Sequence, residues 1–287
     1  MNLSLEITGL TKSYAGSGFM LDNVSFSVPS GTIMGFVGEN GAGKTTTIKS
    51  ILNTVQMDSG TIRLLGREMK DTDTVLREDI GVVLDSANFP AVLTPAKLAK
   101  VMHGVYKQWD QEVYAKLTGK FSLPMNQKIS GFSRGMTMKL AIAAALSHHP
   151  KLLILDEATS GLDPVTREEI LEVFLEFVED ERHAILMSSH ITSDLEKIAD
   201  YITFIHQGQI ILTAMKDELI YDYGVARCTS GQFQSIAEGD RLAYRVREHQ
   251  IDVLVEDKQG FGQKYSGVTV DQVSIDEILL LLVKGEK

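Results

Sequence analysis

Hydrophobic and polar positions alternate along residues 3 to 28 in two runs, Leu3 to Tyr14 and Met20 to Val28. The Gly/Ser turn Ala15 to Gly18 separates them. Alternation turns one face of each run inward, so the pattern predicts an antiparallel hairpin. Thr32 to Val37 is apolar without alternation, the pattern of a strand buried on both faces. A glycine-rich loop follows, then a helix predicted from Gly43 to about Leu52. Thr61 to Leu65, Ile80 to Leu84, Lys151 to Leu155, Ala184 to Ser188 and Ile202 to Ile205 are further predicted strands. Between Pro95 and about His149 the period is helical, with Leu98, Val101, Met102 and Val105 on one predicted face. Asp163-Pro164 opens another helix with a cap and a first-turn proline, and Ile170, Leu171, Phe174 and Val178 repeat along it. Gln207-Gly208 predicts a hairpin turn.

Strands and helices therefore alternate from about 31 to 206, which implies a largely parallel sheet flanked by helices. The expectation is an α/β core with an N-terminal antiparallel β subdomain. A helical insertion occupies about 86–149. After about 215 the pattern breaks into short mixed segments, so a small C-terminal α+β accessory domain is expected over 215–287.

Composition narrows the class. The chain has 287 residues, 44% of them hydrophobic and 23% charged, which is globular rather than disordered composition. The longest late apolar run, Ile278 to Val283, is far short of the roughly 20 residues that span a bilayer and fits the buried side of a helix. A single cysteine, Cys228, excludes an internal disulfide. The first residues carry no signal-peptide order and are taken as the mature N-terminus, giving a cytoplasmic expectation. A net charge of -10 argues against a nucleic-acid surface.

Gly38-Glu39-Asn40-Gly41-Ala42-Gly43-Lys44-Thr45 matches G-x-x-x-x-G-K-[ST], between a buried strand and a helix. Glycines let successive backbone N–H groups curl around phosphate oxygens, and the helix N-terminus adds positive partial charge. Lys44 is placed for the β- and γ-phosphates, Thr45 for Mg²⁺, and Thr46 for support of the loop. The motif implies a nucleoside triphosphate, and no N/T-K-x-D element follows to make it a guanine nucleotide. Leu152 to Leu155 ends in Asp156-Glu157, and ligands of open α/β sheets gather at such strand ends. Asp156 suits water-mediated Mg²⁺ coordination, and Glu157 suits orienting or deprotonating an attacking water. Alone, the pair is equally well read as solvated acids.

Three further motifs change that balance. Phe132-Ser133-Arg134-Gly135-Met136 lies upstream of the acids, Ser160-Gly161-Leu162-Asp163 directly after them, and Ser188-Ser189-His190 ends the next strand. Together with the phosphate loop, in this order, they resemble the ATP-binding cassette of ABC transporters over about residues 3 to 215. The resemblance implies that 1–214 form the ATPase domain and that ATP and Mg²⁺ are its cofactors. It implies adenine stacking for Tyr14, and γ-phosphate contact from Ser133 and the Gly135 amide across a dimer of cassettes. It also implies a link between the two sites for Asp163 and a switch role for His190 beside the catalytic pair Lys44 and Glu157. Partners would be a second cassette, identical or not, and a separate membrane permease that tethers the chain to the inner face of the membrane. Phe89 to Leu93 would line the groove receiving that permease.

Three positions depart from the family's commonest pattern. Asp85 stands where a metal-sensing glutamine is usual, and a carboxylate there is expected to be metal-linked, or else to cap the turn Asp85 to Asn88. Arg134 replaces a glycine of the signature, either near the transferred phosphate or facing solvent. Ala158 replaces a proline. These substitutions resemble the branch serving ABC-2-type exporters of antibiotics and peptides. The resemblance leaves two other outputs open, a non-transport ATPase and an ATP-dependent sensor module. Trp109 is expected in the core, and His148-His149 at a helix end.

Overall fold

The computed structural model describes residues 2–14, 16, 18–68, 73–85, 89–248 and 250–286. Ala15 and Ser17 of the expected first turn lie outside these, as do Ser86, Ala87 and Asn88 of the turn expected after Asp85.

The N-terminal runs form the expected hairpin. β1 (Leu3–Ser13) pairs antiparallel with β2 (Met20–Pro29), with Ile7 opposite Phe26 and Leu10 opposite Val24. β3 (Ile33–Val37) leads into α1 (Lys44–Ile51). β4 (Ser59–Leu64) and the short β5 (Arg67–Glu68) complete an antiparallel sheet of order β2-β1-β4-β5. α2 (Thr74–Glu78) is a short helix that the sequence pattern did not reveal; Asp73 caps it by accepting from the Leu76 N–H at 3.0 Å. β6 (Ile80–Val83) then enters the second sheet.

Among the described residues, the insertion is helical and carries no strand. α3 (Pro95–Val105), α4 (Gln111–Lys120) and α5 (Arg134–Leu146) pack together, with a 3₁₀ turn at Ile129–Gly131. The buried face of α3 is rotated from the expected one. Pro95, Leu98 and Ala99 are buried, whereas Val101 and Val105 are exposed. Only one face of α3 meets α4 and α5; the other borders a surface groove. Trp109 is buried against Tyr114, with ring centroids 5.1 Å apart.

The chain returns through β7 (Leu152–Asp156), α6 (Pro164–Val178), β8 (Ala184–Ser189), α7 (Thr192–Ile198), β9 (Tyr201–His206) and β10 (Gln209–Met215). The resulting sheet has the order β10-β9-β3-β8-β7-β6 and is parallel except for β10. Gln207 and Gly208, at φ 47° and 79°, make the expected β9–β10 turn. In β3, β7 and β8 the two-residue period of a strand divides side chains between two cores. Met34, Phe36, Ile154 and Leu186 join the core shared with α1 and the antiparallel sheet. Ile33, Val37, Leu155 and Met187 join the core shared with the helices. Burial on both faces requires the continuous apolar runs that the sequence shows here, up to Leu155 in β7 and Met187 in β8.

The C-terminal part comprises α8 (Lys216–Tyr221), β11 (Gly224–Cys228), α9 (Ser230–Ser235), β12 (Ala243–Val246), β13 (Ile251–Val255), α10 (Lys258–Lys264), β14 (Thr269–Gln272) and α11 (Ile275–Lys284). Its antiparallel sheet has the order β12-β13-β11-β14. Leu219, Tyr223, Ile278 and Leu281 bury into the same core as Leu195 and Ile198 of α7. The Ile275 N–H donates to Glu196 of α7 at 3.1 Å.

Candidate nucleotide site

The loop from Gly38 to Gly43 sits at the carboxyl end of β3, where α1 begins. Gly38 has no room for a side chain, since a Cβ would stand 2.4 Å from the Ile205 carbonyl oxygen. Gly43 precedes α1 with φ 120°, and a Cβ there would approach Leu21 to 2.7 Å. Gly38 therefore needs glycine for contact, and Gly43 for both contact and conformation. Lys44 is buried, and its ammonium donates back to the carbonyls of Gly38 at 2.7 Å and Glu39 at 3.3 Å. The loop opens onto a cleft of about 590 Å³ lined by Asn40, Gly41, Lys44, Thr45, Thr46 and other residues named below.

The ends of β7 and β8 supply the acids. Asp156 is buried between two hydroxyls: Thr45 Oγ1 donates to it at 3.0 Å, and Ser188 Oγ at 2.6 Å. Glu157 adopts φ 55°, a left-handed conformation uncommon for a side-chain-bearing residue and typical of built sites. Its N–H donates to the Ser188 hydroxyl at 3.2 Å. The turn sends its carboxylate into the cleft, 3.6 Å from Lys44 Nζ and 2.5 Å from His190 Nδ1. Asp156 and Glu157 thus point to different partners, although they are neighbours in sequence.

These residues fit a triphosphate and a hard cation. The glycine cradle, the N-terminus of α1 and a buried ammonium are donors for phosphate oxygens. Thr45 and Asp156 present hydroxyl and carboxylate oxygens, the ligand type Mg²⁺ takes alongside phosphates and water. Among the described residues no cluster of three or more His, Cys, Asp or Glu is grouped for a metal.

The family described as "ABC transporter" matches residues 21–160. Bacitracin transport ATP-binding protein BcrA of Bacillus licheniformis is 35% identical over 228 residues, covering 78% of this chain and 72% of that protein. The chain belongs to the ABC transporter ATP-binding family. Lantibiotic transport ATP-binding protein SrtF of Streptococcus pyogenes is 38% identical over 213 residues, covering 72% of this chain and 89% of SrtF. A solved ATP-binding subunit of an ABC transporter superposes with a TM-score of 0.67 at 27% identity, covering 75% of this chain and 91% of that one.

The remaining expected residues of this ABC ATPase are distributed unevenly. Ser133 caps α5, its Oγ accepting from the Met136 N–H at 3.2 Å, and is exposed with Gly135 beside it, away from the lining of the chain's own cleft. Asp163 is likewise outside that lining. It caps α6 by accepting from the Thr166 N–H at 3.0 Å, and this bond holds its carboxyl below the usual carboxylate range. Ala42 is buried behind the loop, its N–H donating to the Glu39 carbonyl at 3.1 Å.

Tyr14 stands exposed beyond β1, with Lys12 Nζ 5.6 Å from its ring centroid. The aromatic residue lining the cleft is Phe19, just before β2. No motif marks Phe19, which falls between the turn and the alternating run that starts at Met20. Asp85 reaches the rim, and its carboxylate pairs with Arg134. Arg134 is exposed, as one of its two expected placements had it, and makes this pairing as well. Ser188, noted in sequence only as part of a Ser-Ser-His run, is the link between the two acids. His148 and His149 end the helix as expected. His149 contacts Asp110 at 3.0 Å, and His148 is buried under Tyr106, ring centroids 4.0 Å apart.

Proposed function

We propose that this ABC ATPase hydrolyses ATP at the cleft to drive a separate ABC-2-type permease exporting peptides or antimicrobial compounds. The convergence of Lys44, Thr45, Asp156, Glu157 and His190 on one cleft carries the reading. Loop N–H groups and Lys44 hold the phosphates. Thr45 and Asp156 would hold Mg²⁺, which would supply neutralisation of the phosphate charge. Glu157 accepts a proton from the attacking water, and His190, joined to it, keeps it aimed. Phe19 offers a π-face for the base, with Tyr14 nearby in sequence.

Ser133, Gly135 and Asp163 serve the cleft of a second cassette. This is supported by the exposure of Ser133 and Asp163 at helix N-termini outside the chain's own cleft, with Gly135 half-buried beside Ser133. Two such surfaces used reciprocally give a closed dimer.

An apolar groove of about 460 Å³, lined by Ile80, Val82, Leu84, Val105 and Tyr106, supports docking of a permease segment; of the expected Phe89 to Leu93 stretch, Phe89 lines an adjoining pocket that shares Val82, Leu84 and Tyr106. Val82, Leu84 and Val105 are exposed apolar residues there, which a partner would cover. Among the described residues no helix is long and apolar enough to cross a membrane. Attachment to the inner face of the membrane then runs through the permease. The names of BcrA and SrtF support the cargo class. Residues 1–214 are taken as the ATPase domain and 215–287 as the accessory unit.

The test is co-purification of the tagged chain from membranes, followed by ATPase assay with candidate peptides. A polytopic partner and peptide-stimulated hydrolysis are expected. Hydrolysis without a membrane partner points to the non-transport ATPase, and a partner with no stimulation to the sensor module.

A further inference from the structure

Arg134 begins α5, between Ser133 and Gly135, and its side chain is half-exposed. Its guanidinium reaches two separate loops. Nη2 pairs with the Asp85 carboxylate after β6, and Nε donates to the Ser160 carbonyl after β7 at 2.9 Å. Ser160 precedes Gly161, at φ 68°, where a Cβ would lie 3.3 Å from Arg134 Nε. The N-terminus of α5 is also pressed against the start of α6, since a Cβ on Gly135 would stand 3.2 Å from Thr166. Asp85 and Ser160 line the nucleotide cleft, whereas Arg134 does not.

We propose that Arg134 is a positioning residue that clips the helical insertion to the two cleft loops, through Asp85 and the Ser160 carbonyl. This deepens the reading of the cleft as an ATP site and rests on it. A planar guanidinium can hold two acceptors in fixed directions, which an ammonium cannot do as well. The clip fixes where the N-terminus of α5 faces, and with it Ser133 and Gly135. It also pairs the Asp85 charge, which would otherwise oppose a triphosphate in the same cleft. Half-exposed ion pairs add little to stability, so the effect belongs in turnover and not in the unfolding midpoint.

The experiment is a double-mutant cycle on the full-length chain, measuring Mg-ATP hydrolysis and thermal unfolding. Arg134→Gln and Asp85→Asn should each lower kcat about tenfold, with KM for ATP within about twofold and the unfolding midpoint unchanged. The double variant should be no slower than the slower single, because both remove one interaction. Arg134→Lys should recover part of the loss. Losses that multiply, wild-type kcat in Arg134→Gln, or a loss that tracks a lowered unfolding midpoint would each overturn the proposal. Glu157→Gln in parallel separates the two levels. If it abolishes hydrolysis while the cycle is multiplicative, only the clip is wrong. If it turns over at the wild-type rate, the reading of the cleft is wrong.

Discussion

At the scale of single residues, Ser188 ties the site together. Its hydroxyl donates to Asp156 at 2.6 Å and accepts the Glu157 N–H at 3.2 Å, so one atom sets both acids. Hydrogen bonds to charged groups contribute about 1.5–3 kcal/mol. Ser188→Ala is therefore expected to lower turnover at least tenfold and to raise the Mg²⁺ concentration for half-maximal activity. An Mg²⁺ titration of the variant checks this, and an unchanged half-saturation would count against Asp156 as the metal carboxylate. The sequence exposed the identities at this site, because a strand-end acid pair and a glycine cradle are local patterns. It could not expose the left-handed turn at Glu157, which sends the two acids to different partners. Nor could it expose the Arg134–Asp85 pairing, whose members lie 49 positions apart.

Among elements, the central strands were the most legible. A strand buried on both faces needs apolar residues on both, and β3, β7 up to Leu155 and β8 up to Met187 have them, with polar residues only where β7 and β8 end at the cleft. Helix faces were less legible. Leu98, Val101, Met102 and Val105 share a side of α3, yet the neighbours of α3 cover only part of it. Elements as short as β5 and α2 carry too few residues for a period to register.

The junction of α5 and β6 gives a prediction at this scale. His148 is buried there, its Nε2 3.2 Å from the Ile80 carbonyl oxygen. Burial, the largest influence, pushes its pKa below the ordinary 6.5. The hydrogen bond to the Ile80 carbonyl, the nearby Ala144 backbone and the charge of Glu78 oppose this, and His149 adds to it. The unfolded chain then binds the proton more readily. Stability is full above pH 6.5 and falls as pH drops through the folded value. Urea unfolding at pH 7.5 and 5.5 should show a smaller acid-side loss in His148→Phe than in wild type. Equal losses would mean that His148 titrates alike in both states.

For the whole molecule, the C-terminal part is less separate than its change of sequence pattern implied. Ile275, Ile278 and Leu281 of α11 face the core behind α7, the helix that follows His190. Lys284 at its end lies 3.8 Å from Glu39 of the phosphate loop. These contacts join residues far apart in the chain, and no local pattern announces them. In the proposed dimer the cleft is half a site, with Ser133, exposed at the start of α5, offered to the cleft of the second cassette. The most direct measurement of the central claim is single-turnover Mg-ATP hydrolysis by Glu157→Gln, read together with its mass in solution. Proton transfer by a positioned base contributes about 10²–10⁴-fold. The variant should therefore hydrolyse at least about a hundredfold more slowly while retaining ATP and accumulating as a dimer; wild-type hydrolysis with no ATP-dependent dimer would contradict the account.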